Sequence, residues 1–393
     1  MMLFMRINNT ILYKRELDLA QFKGSLFLFG PRMTGKTALL TQIKGTKYID
    51  LLDPEIELKY RGTPKLLWEE ISALTPGSLV ILDEIQKVPL LLDYVQLGIE
   101  KLKLSFILSG SSARKLRRGG ANLLGGRALE THLHSLTAKE LDKDFSIKNA
   151  LTYGTLPKVS SLLSSGNEVD AQRLLRSYYT IYLKEEIQAE AIVRNLDAFQ
   201  RFLAIAAQSN GQIIEFANIS RESSVSQSTV KDYYQILEDT LIGRFVWPWD
   251  KSERKKARPK FYFFDCGVVR ALQNRVTFEP TPEELGILFE TWFINELIKI
   301  KDYQEKEHQL SLWRDGRREV DVLIEDGRGP LIAFECKAGK QLKDKTSLRA
   351  FKNKFTKTPL YVVSLKDDHE RLLEDDIMII PWKKALELYR GLK

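Results

Sequence analysis

A chain of 393 residues is too long for one ordinary core and, at about 100–200 residues per domain, is expected to hold two or three. With 44% hydrophobic and 28% charged residues it has the composition of a soluble globular protein, and no run of about 18 apolar residues is present to span a membrane. The net charge of +8 is unevenly placed, with basic stretches at Lys251–Lys260 and Lys337–Lys357. Such stripes favour polyanions by counterion release, although a solvated face is the ordinary alternative.

Two cysteines, Cys266 and Cys336, make no disulfide framework, and four scattered histidines make no zinc pattern. The opening Met1-Met2-Leu3-Phe4-Met5 is too short for a signal-peptide core. A reducing, cytoplasmic compartment is expected.

In chain order, short apolar runs at Ser25–Phe29, Tyr48–Leu52, Leu79–Leu82 and Leu104–Leu108 alternate with helical patterns such as Lys65–Leu74 and Leu90–Leu102. This alternation predicts a parallel sheet covered by helices, and continuous apolar strands fit burial on both faces. From about Leu151 the pattern turns helical, over Val169–Ile192 and Ala198–Gln208. Between Ile213 and Trp249 a helix, a polar turn at Ser223–Ser226 and a second helix precede an apolar strand-like run. Ser226 or Ser228 can cap that second helix, which carries Val230, Tyr233, Tyr234, Leu237 and Leu241. This reads as a winged helix-turn-helix. From about Pro282 an α/β pattern returns.

The first strand runs straight into Gly30-Pro31-Arg32-Met33-Thr34-Gly35-Lys36-Thr37, followed by Ala38. This G-x-x-x-x-G-K-[ST] spacing, after a buried strand and opening a helix, is that of a phosphate-binding loop. Backbone N–H groups would wrap phosphates, Lys36 would reach the β- and γ-phosphates, and Thr37 would offer its hydroxyl to Mg²⁺. The strand Leu79–Leu82 ends in Asp83-Glu84, where a magnesium ligand (Asp83) and a base for the attacking water (Glu84) are needed. A third strand ends in Ser109-Gly110-Ser111, making Ser109 a candidate sensor of the γ-phosphate. Arg127, in Gly125-Gly126-Arg127, is a candidate to reach that phosphate in cis or from a neighbouring subunit.

GPRMTGKT, LVILDEIQ and ILSGSS followed by GGR resemble the AAA+-type ATPases that carry a C-terminal domain of unknown function. The resemblance continues through Tyr153-Gly154-Thr155-Leu156-Pro157 and Pro259-Lys-Phe-Tyr-Phe-Phe-Asp265-Cys-Gly267. It closes on Glu319-Val-Asp321 and Glu335-Cys-Lys337 and covers nearly the whole chain. It implies ATP and Mg²⁺ as cofactors, ATP hydrolysis and a restriction-endonuclease-like C-terminal fold. The fold class is therefore expected to be α/β in three domains. These are a P-loop AAA+-type core over 1–150, a helical lid and winged helix-turn-helix over 151–275, and a restriction-endonuclease-like domain over 276–393.

In the last of these, two apolar-rich strands flank Asp326-Gly-Arg-Gly-Pro330, a strong turn signal. A hairpin centred near Arg328 sets Asp321 opposite Glu335 and Glu319 opposite Lys337. One face then carries Val320, Val322, Ile324, Ile332, Phe334 and Cys336, and the other Glu319, Asp321, Glu335 and Lys337 with Leu323 and Ala333. That is the D…E-x-K arrangement, in which Asp321 and Glu335 would hold Mg²⁺ and Lys337 would orient or activate water. The resemblance adds Glu290, on a helix over Gly286–Ile300, as a further acidic ligand. A solvated strand face with cross-strand ion pairs is the plain alternative.

The leading expectation is an ATP-hydrolysing protein that acts on DNA through the winged helix and the nuclease-like domain. The alternative is an ATP-dependent switch or interaction scaffold, with an inactive nuclease-like domain and a protein partner or homo-oligomer. Lys231 is the only clear cation on the second helix beside Thr229 and Asp232, a weakness for the DNA reading. A phosphotransferase is a third possibility, disfavoured by Asp83-Glu84.

Overall fold

The computed structural model describes all residues except 1–5, 8–9, 44–46, 112–115, 117–123, 179–194, 250–257, 340–344 and 374–376. The described chain divides into two compact units. The first comprises Met1–Leu136, Leu156–Lys158 and Ile236–Ile242, and the second comprises Thr137–Thr155, Val159–Gln235 and Gly243–Lys393. The stretches expected as separate domains over 151–275 and 276–393 thus fall mainly in one unit.

The first unit is built on five parallel strands, β1 (Ser25–Phe29), β2 (Lys47–Asp50), β3 (Leu79–Asp83), β4 (Ser105–Gly110) and β5 (Ala128–His132), in the order β2-β3-β4-β1-β5. Helices α1 (Lys36–Leu40), α2 (Pro54–Gly62), α3 (Lys65–Ile71) and α4 (Leu91–Leu102) lie between them in sequence. Every residue of β1 is buried, as its uninterrupted apolar run requires. The predicted strands and helices appear within a few residues of their expected bounds. Strand β5 (Ala-Leu-Glu-Thr-His) was not foreseen. It pairs on one side, with β1, and among its residues Thr131 alone is buried, so it has neither an apolar run nor clean alternation.

The second unit opens with α5 (Ile147–Tyr153), α6 (Pro157–Ser164, whose first two residues belong to the first unit) and α7 (Glu168–Ser177). Of the long helix expected over Val169–Ile192, residues 179–192 lie outside the described residues. Helix α8 (Leu196–Gln208) is capped by Asn195, which accepts the Ala198 N–H at 3.0 Å, and buries Phe199, Phe202, Leu203 and Ala206 at helical spacing. Helix α9 (Phe216–Ser223) ends at Ser224, whose φ of 54° turns the chain, and α10 (Gln227–Asp239, whose last four residues belong to the first unit) follows. Of the two candidate caps, Ser226 accepts the Thr229 N–H at 3.2 Å. Strands β6 (Gly243–Val246) and β7 (Lys260–Phe263) then pair antiparallel. Tyr234 is fully buried here, its ring 4.8–5.2 Å from those of Phe202, Phe245 and Phe261.

After α11 (Cys266–Leu272) comes the 22-residue α12 (Pro282–Tyr303), with Thr281 as cap, Pro282 in its first turn and Glu283 and Glu284 beside its N-terminus. A six-stranded sheet follows, formed by β8 (Gln309–Asp315), β9 (Arg318–Asp326), β10 (Gly329–Lys337), β11 (Leu360–Ser364), β12 (Arg371–Leu372) and β13 (Met378–Pro381). Its order is β8-β9-β10-β11-β13-β12. Helix α13 (Thr346–Lys354) lies between β10 and β11 in sequence, and α14 (Trp382–Gly391) ends the chain.

Two apolar clusters flank this sheet. Phe289, Phe293 and Leu297 of α12 pack with Val322, Ile324, Ile332 and Phe334, while Leu348 and Phe351 of α13 pack with Leu323, Ala333 and Val362. The pairing of Val322 with Phe334 and Leu323 with Ala333 is the predicted register. Two expectations are corrected. Val320 packs with Leu323 and Ala333 instead of Val322, because an irregularity in the β8–β9 ladder shifts it to the other face. The acidic face is not solvated, since Asp321 and Glu335 are both buried.

The motifs Tyr153-Gly154-Thr155 and Asp265-Cys266-Gly267 meet within the second unit. The Asp265 carboxylate accepts the N–H groups of Thr155 (2.8 Å), Gly267 (2.9 Å) and Val268 (3.3 Å), capping α11 and fixing the turn after α5. Gly154 has φ 72°, and a Cβ there would stand 1.8 Å from Asp265 Oδ1; one on Gly267 would stand 2.1 Å from the Tyr153 carbonyl oxygen. Both glycines are therefore required by close backbone approach. Asp265→Ala, which strands three buried N–H groups, is expected to lower the unfolding free energy by about 2–4 kcal/mol. Gly154→Ala should cost at least as much. Denaturant unfolding of the two variants, at unchanged m-value, is the check.

Candidate functional site

The loop between β1 and α1 is held open by its own backbone. Met33 (φ 66°) and Gly35 (φ 93°) both lie in the left-handed region, which turns successive N–H groups toward one side. A Cβ on Gly30 would stand 2.3 Å from the Leu133 carbonyl oxygen, so only glycine fits. Pro31 and Thr34 are buried, and the Thr34 hydroxyl donates to the Pro31 carbonyl at 2.9 Å. Arg32 is half-buried; Thr37 and Ala38 are exposed at the start of α1. The Lys36 ammonium, 5% exposed, donates to the Gly30 carbonyl at 2.8 Å and lies 3.9 Å from Glu84.

At the end of β3, Asp83 is fully buried and forms the hub of the site. Its Oδ2 accepts hydroxyl protons from Thr37 and Tyr48, each at 2.7 Å, and its Oδ1 accepts from Ser109. Ser109 in turn accepts the Glu84 N–H at 3.1 Å. Burial, then the Asp83 hydrogen bond, hold the Tyr48 phenol well above its ordinary range. Glu84 itself sits at φ 61°, a conformation that costs a non-glycine residue about 1–3 kcal/mol and recurs where function holds it. Its carboxylate accepts from the Gln86 amide, which also reaches Ser111 at 3.3 Å. Lys36, Thr37, Asp83, Glu84 and Ser109 are therefore brought together.

Arg127 is not. Strand β5 runs parallel to β1 with Ser25 beside Ala128 and Phe29 beside His132, so Arg127 stands where β1 begins and the loop where it ends. A five-residue strand separates them by about 17 Å. Its guanidinium pairs with Glu100 at 2.8 Å, which corrects the expectation that Arg127 reaches a phosphate in cis.

Sequence reasoning missed Tyr48, Gln86 and Arg15. Tyr48 read as one more apolar strand residue, and Gln86 sits two places beyond the acidic pair. Arg15 donates to the carbonyls of Thr34 and His134, both at 2.7 Å, and no motif marks it.

The second unit gathers the other expected group. Lys337 lies 2.7 Å from Glu335, the Asp321 N–H donates to Glu335 at 3.3 Å, and the Cys336 N–H donates to Asp321 at 2.8 Å. Glu290 joins them from α12, with its Oε1 accepting from Tyr262. Burial and then the Asp321 charge push both the Glu290 and Glu335 carboxyls above the ordinary carboxylate range. A residue not expected here completes the cluster. Lys260 is 2.7 Å from Glu290, 2.6 Å from Glu319 and 3.5 Å from Asp321. Burial alone would depress its ammonium, but the charges of Glu290, Asp321 and Glu319 raise it well above the ordinary lysine value.

Lys260 closes the basic stretch expected to face solvent or a polyanion, yet it is 5% exposed; residues 251–257 of that stretch lie outside the described residues. Among the described residues, no group of three or more His, Cys, Asp or Glu side chains is arranged to hold a metal ion. Glu290, Asp321 and Glu335, expected as metal ligands, are brought together here, and the Lys260 ammonium lies against Glu290 and Asp321.

Residues 23–142 match the family model described as the AAA domain. That span holds the five parallel strands of the first unit and the loop Gly30–Thr37. Residues 144–279 and 285–385 match two models each described as a domain of unknown function, DUF8612 and DUF4143. Uncharacterized proteins of Mycobacterium tuberculosis and Mycobacterium bovis are each 24% identical over 371 residues, spanning 92% of this chain and 80% of theirs. Among solved structures, Aeropyrum pernix ORC1 in complex with DNA is 14% identical, with a TM-score of 0.30 over 65% of this chain and 87% of that one. The replication initiator DnaA bound to AMPPCP and single-stranded DNA is 14% identical, with a TM-score of 0.27 over 55% and 82%. No helix among the described residues is long and apolar enough to cross a membrane.

The Asp83 hub makes a stability prediction. Tyr48→Phe and Ser109→Ala each remove one of its donors and should each lower the unfolding free energy by about 1–3 kcal/mol. Because the two share a partner, the double variant should lose less or more than the sum, and a double-mutant cycle by denaturant unfolding reads that coupling.

Proposed function

We propose that the chain is a Mg²⁺-dependent ATPase. The observation that carries this is the Thr37 hydroxyl 2.7 Å from Asp83, with Glu84 and Lys36 3.9 Å apart beside it. The donor set fits the ligands proposed for it. Oxygens of Thr37 and Asp83 suit a hard divalent ion, and loop N–H groups with Lys36 suit the phosphates of a nucleotide. Mg²⁺ in this role neutralises phosphate charge. Lys36 turns from the Gly30 carbonyl to the phosphates, and Ser109 marks the terminal one. Glu84, its backbone fixed by Ser109 and its carboxylate by Gln86, orients water and takes its proton. A carboxylate so held favours water over another acceptor, hence hydrolysis over phosphotransfer.

The finer reading is that this ATPase acts on DNA, with α9, the turn at Ser224, α10 and the β6–β7 pair as a winged helix-turn-helix and 276–393 as a restriction-endonuclease-like domain. One observation favours the alternative of a protein-binding switch. The exposed positions of α10 are Gln227, Ser228, Lys231, Asp232 and Gln235, where the single cation is offset by an acid and lies 5.5 Å over the Phe216 ring.

Phosphate release with Mg²⁺ and ATP tests the first reading. Wild type should release phosphate, and Lys36→Ala should lose at least a hundredfold in rate while staying folded by circular dichroism. Equal rates would overturn it. Fluorescence anisotropy with labelled duplex and single-stranded DNA decides the second. Binding that weakens steeply with salt supports DNA, and its absence at low salt supports the switch.

A further inference from the structure

Four carboxylates, Glu290, Glu319, Asp321 and Glu335, converge at one end of the interior strands β9 and β10, and the family pattern would give Glu290, Asp321 and Glu335 a divalent ion. The structure instead supplies a cation from within. Lys260 is locked by its backbone, paired with Val246 in the β6–β7 ladder and bridged to Ile213. Its ammonium contacts Glu290, Glu319 and Asp321 at 2.6–3.5 Å. Tyr262, two residues along the same strand and therefore on the same face, donates to the Glu290 oxygen that Lys260 also holds.

Three of the remaining oxygens are engaged as well. Asp321 Oδ2 accepts the Cys336 N–H, Glu335 Oε2 accepts the Asp321 N–H, and Glu335 Oε1 faces Lys337. Arg314 stands 3.9 Å from the second oxygen of Glu319.

We infer that Lys260 is the resident cation of this cluster in place of a divalent metal, so that the D…E-x-K face is a lysine-neutralised ionic centre and not a metal-dependent phosphodiesterase site. Magnesium needs near-octahedral oxygens at about 2.0–2.1 Å, and the ammonium and a backbone N–H already hold Glu290 Oε1, Glu319 Oε1 and both oxygens of Asp321. Charge agrees with geometry. Lys260, Lys337 and Arg314 set three positive charges among the four acids. Replacing Lys260 by a neutral residue removes the one that touches three of them. The lysine is therefore what stands between this cluster and a metal site. The inference does not depend on ATP hydrolysis in the first unit.

Mn²⁺ binding to the full chain without nucleotide, read by electron paramagnetic resonance of the free ion, tests it. Wild type and Asp321→Asn are expected to bind Mn²⁺ alike. Lys260→Gln should gain one site per chain, at least tenfold tighter than any in wild type and lost again in Lys260→Gln/Asp321→Asn. Lys260→Arg, which keeps the charge, should behave as wild type. A wild-type Mn²⁺ site that Asp321→Asn removes would overturn the inference, as would a folded Lys260→Gln that gains none. If circular dichroism shows Lys260→Gln unfolded, the comparison of wild type with Asp321→Asn still decides.

Discussion

The first unit's site depends on one buried carboxylate. Asp83 is fully enclosed, and a charge in that position is tolerable only because hydroxyls from three separate segments point at it. Thr37 brings the phosphate loop's helix, Tyr48 brings β2 and Ser109 brings β4. The same hydrogen bonds therefore compact the sheet's end and set the spacing between the loop and the acidic pair. Glu84 inherits its position from this arrangement, through its N–H to Ser109 and its strained backbone turn.

The second unit solves the problem of buried charge differently, twice. Asp265 is satisfied by three backbone N–H groups and the nearby Lys299 charge, which joins two glycine-containing turns at van der Waals limits. The cluster around Lys260 is satisfied by side chains of opposite sign from β7, α12, β9 and β10. Breaking such a buried pair by removing one partner is costly because the other charge is left uncompensated. Lys260 thereby ties the β6–β7 pair to the sheet that carries Asp321 and Glu335, and it does so with the groups that would otherwise recruit a metal.

Much of the first unit was legible in the chain itself. Strands buried on both faces betray themselves as unbroken apolar runs, and glycines at fixed offsets betray a phosphate loop. The pairing of Val322 with Phe334 was equally legible from the turn signal, although irregularities in the ladders pair Asp326 with Gly329 and turn Val320 to the other face. What escaped lacked a local signal. Strand β5 is half-polar because it pairs along one side alone. Tyr48 and Arg15 act across long sequence separations. Arg127 was misplaced because a Gly-Gly-Arg stretch says nothing about which end of a parallel strand it precedes. Lys260 was hidden for the opposite reason. It closes a run of basic residues that reads as surface, and only the fold shows that its carboxylate partners, 30 to 61 residues away, enclose it.

Glu84 is proposed to serve hydrolysis and not the binding of nucleotide. Glu84→Gln keeps the shape and the Gln86 contact while removing the base, so fluorescent ATP binding and phosphate release should be measured on the same preparation. ATP affinity is expected within a fewfold of wild type, with phosphate release reduced by about two orders of magnitude or more. Release at the wild-type rate, with binding intact, would contradict it.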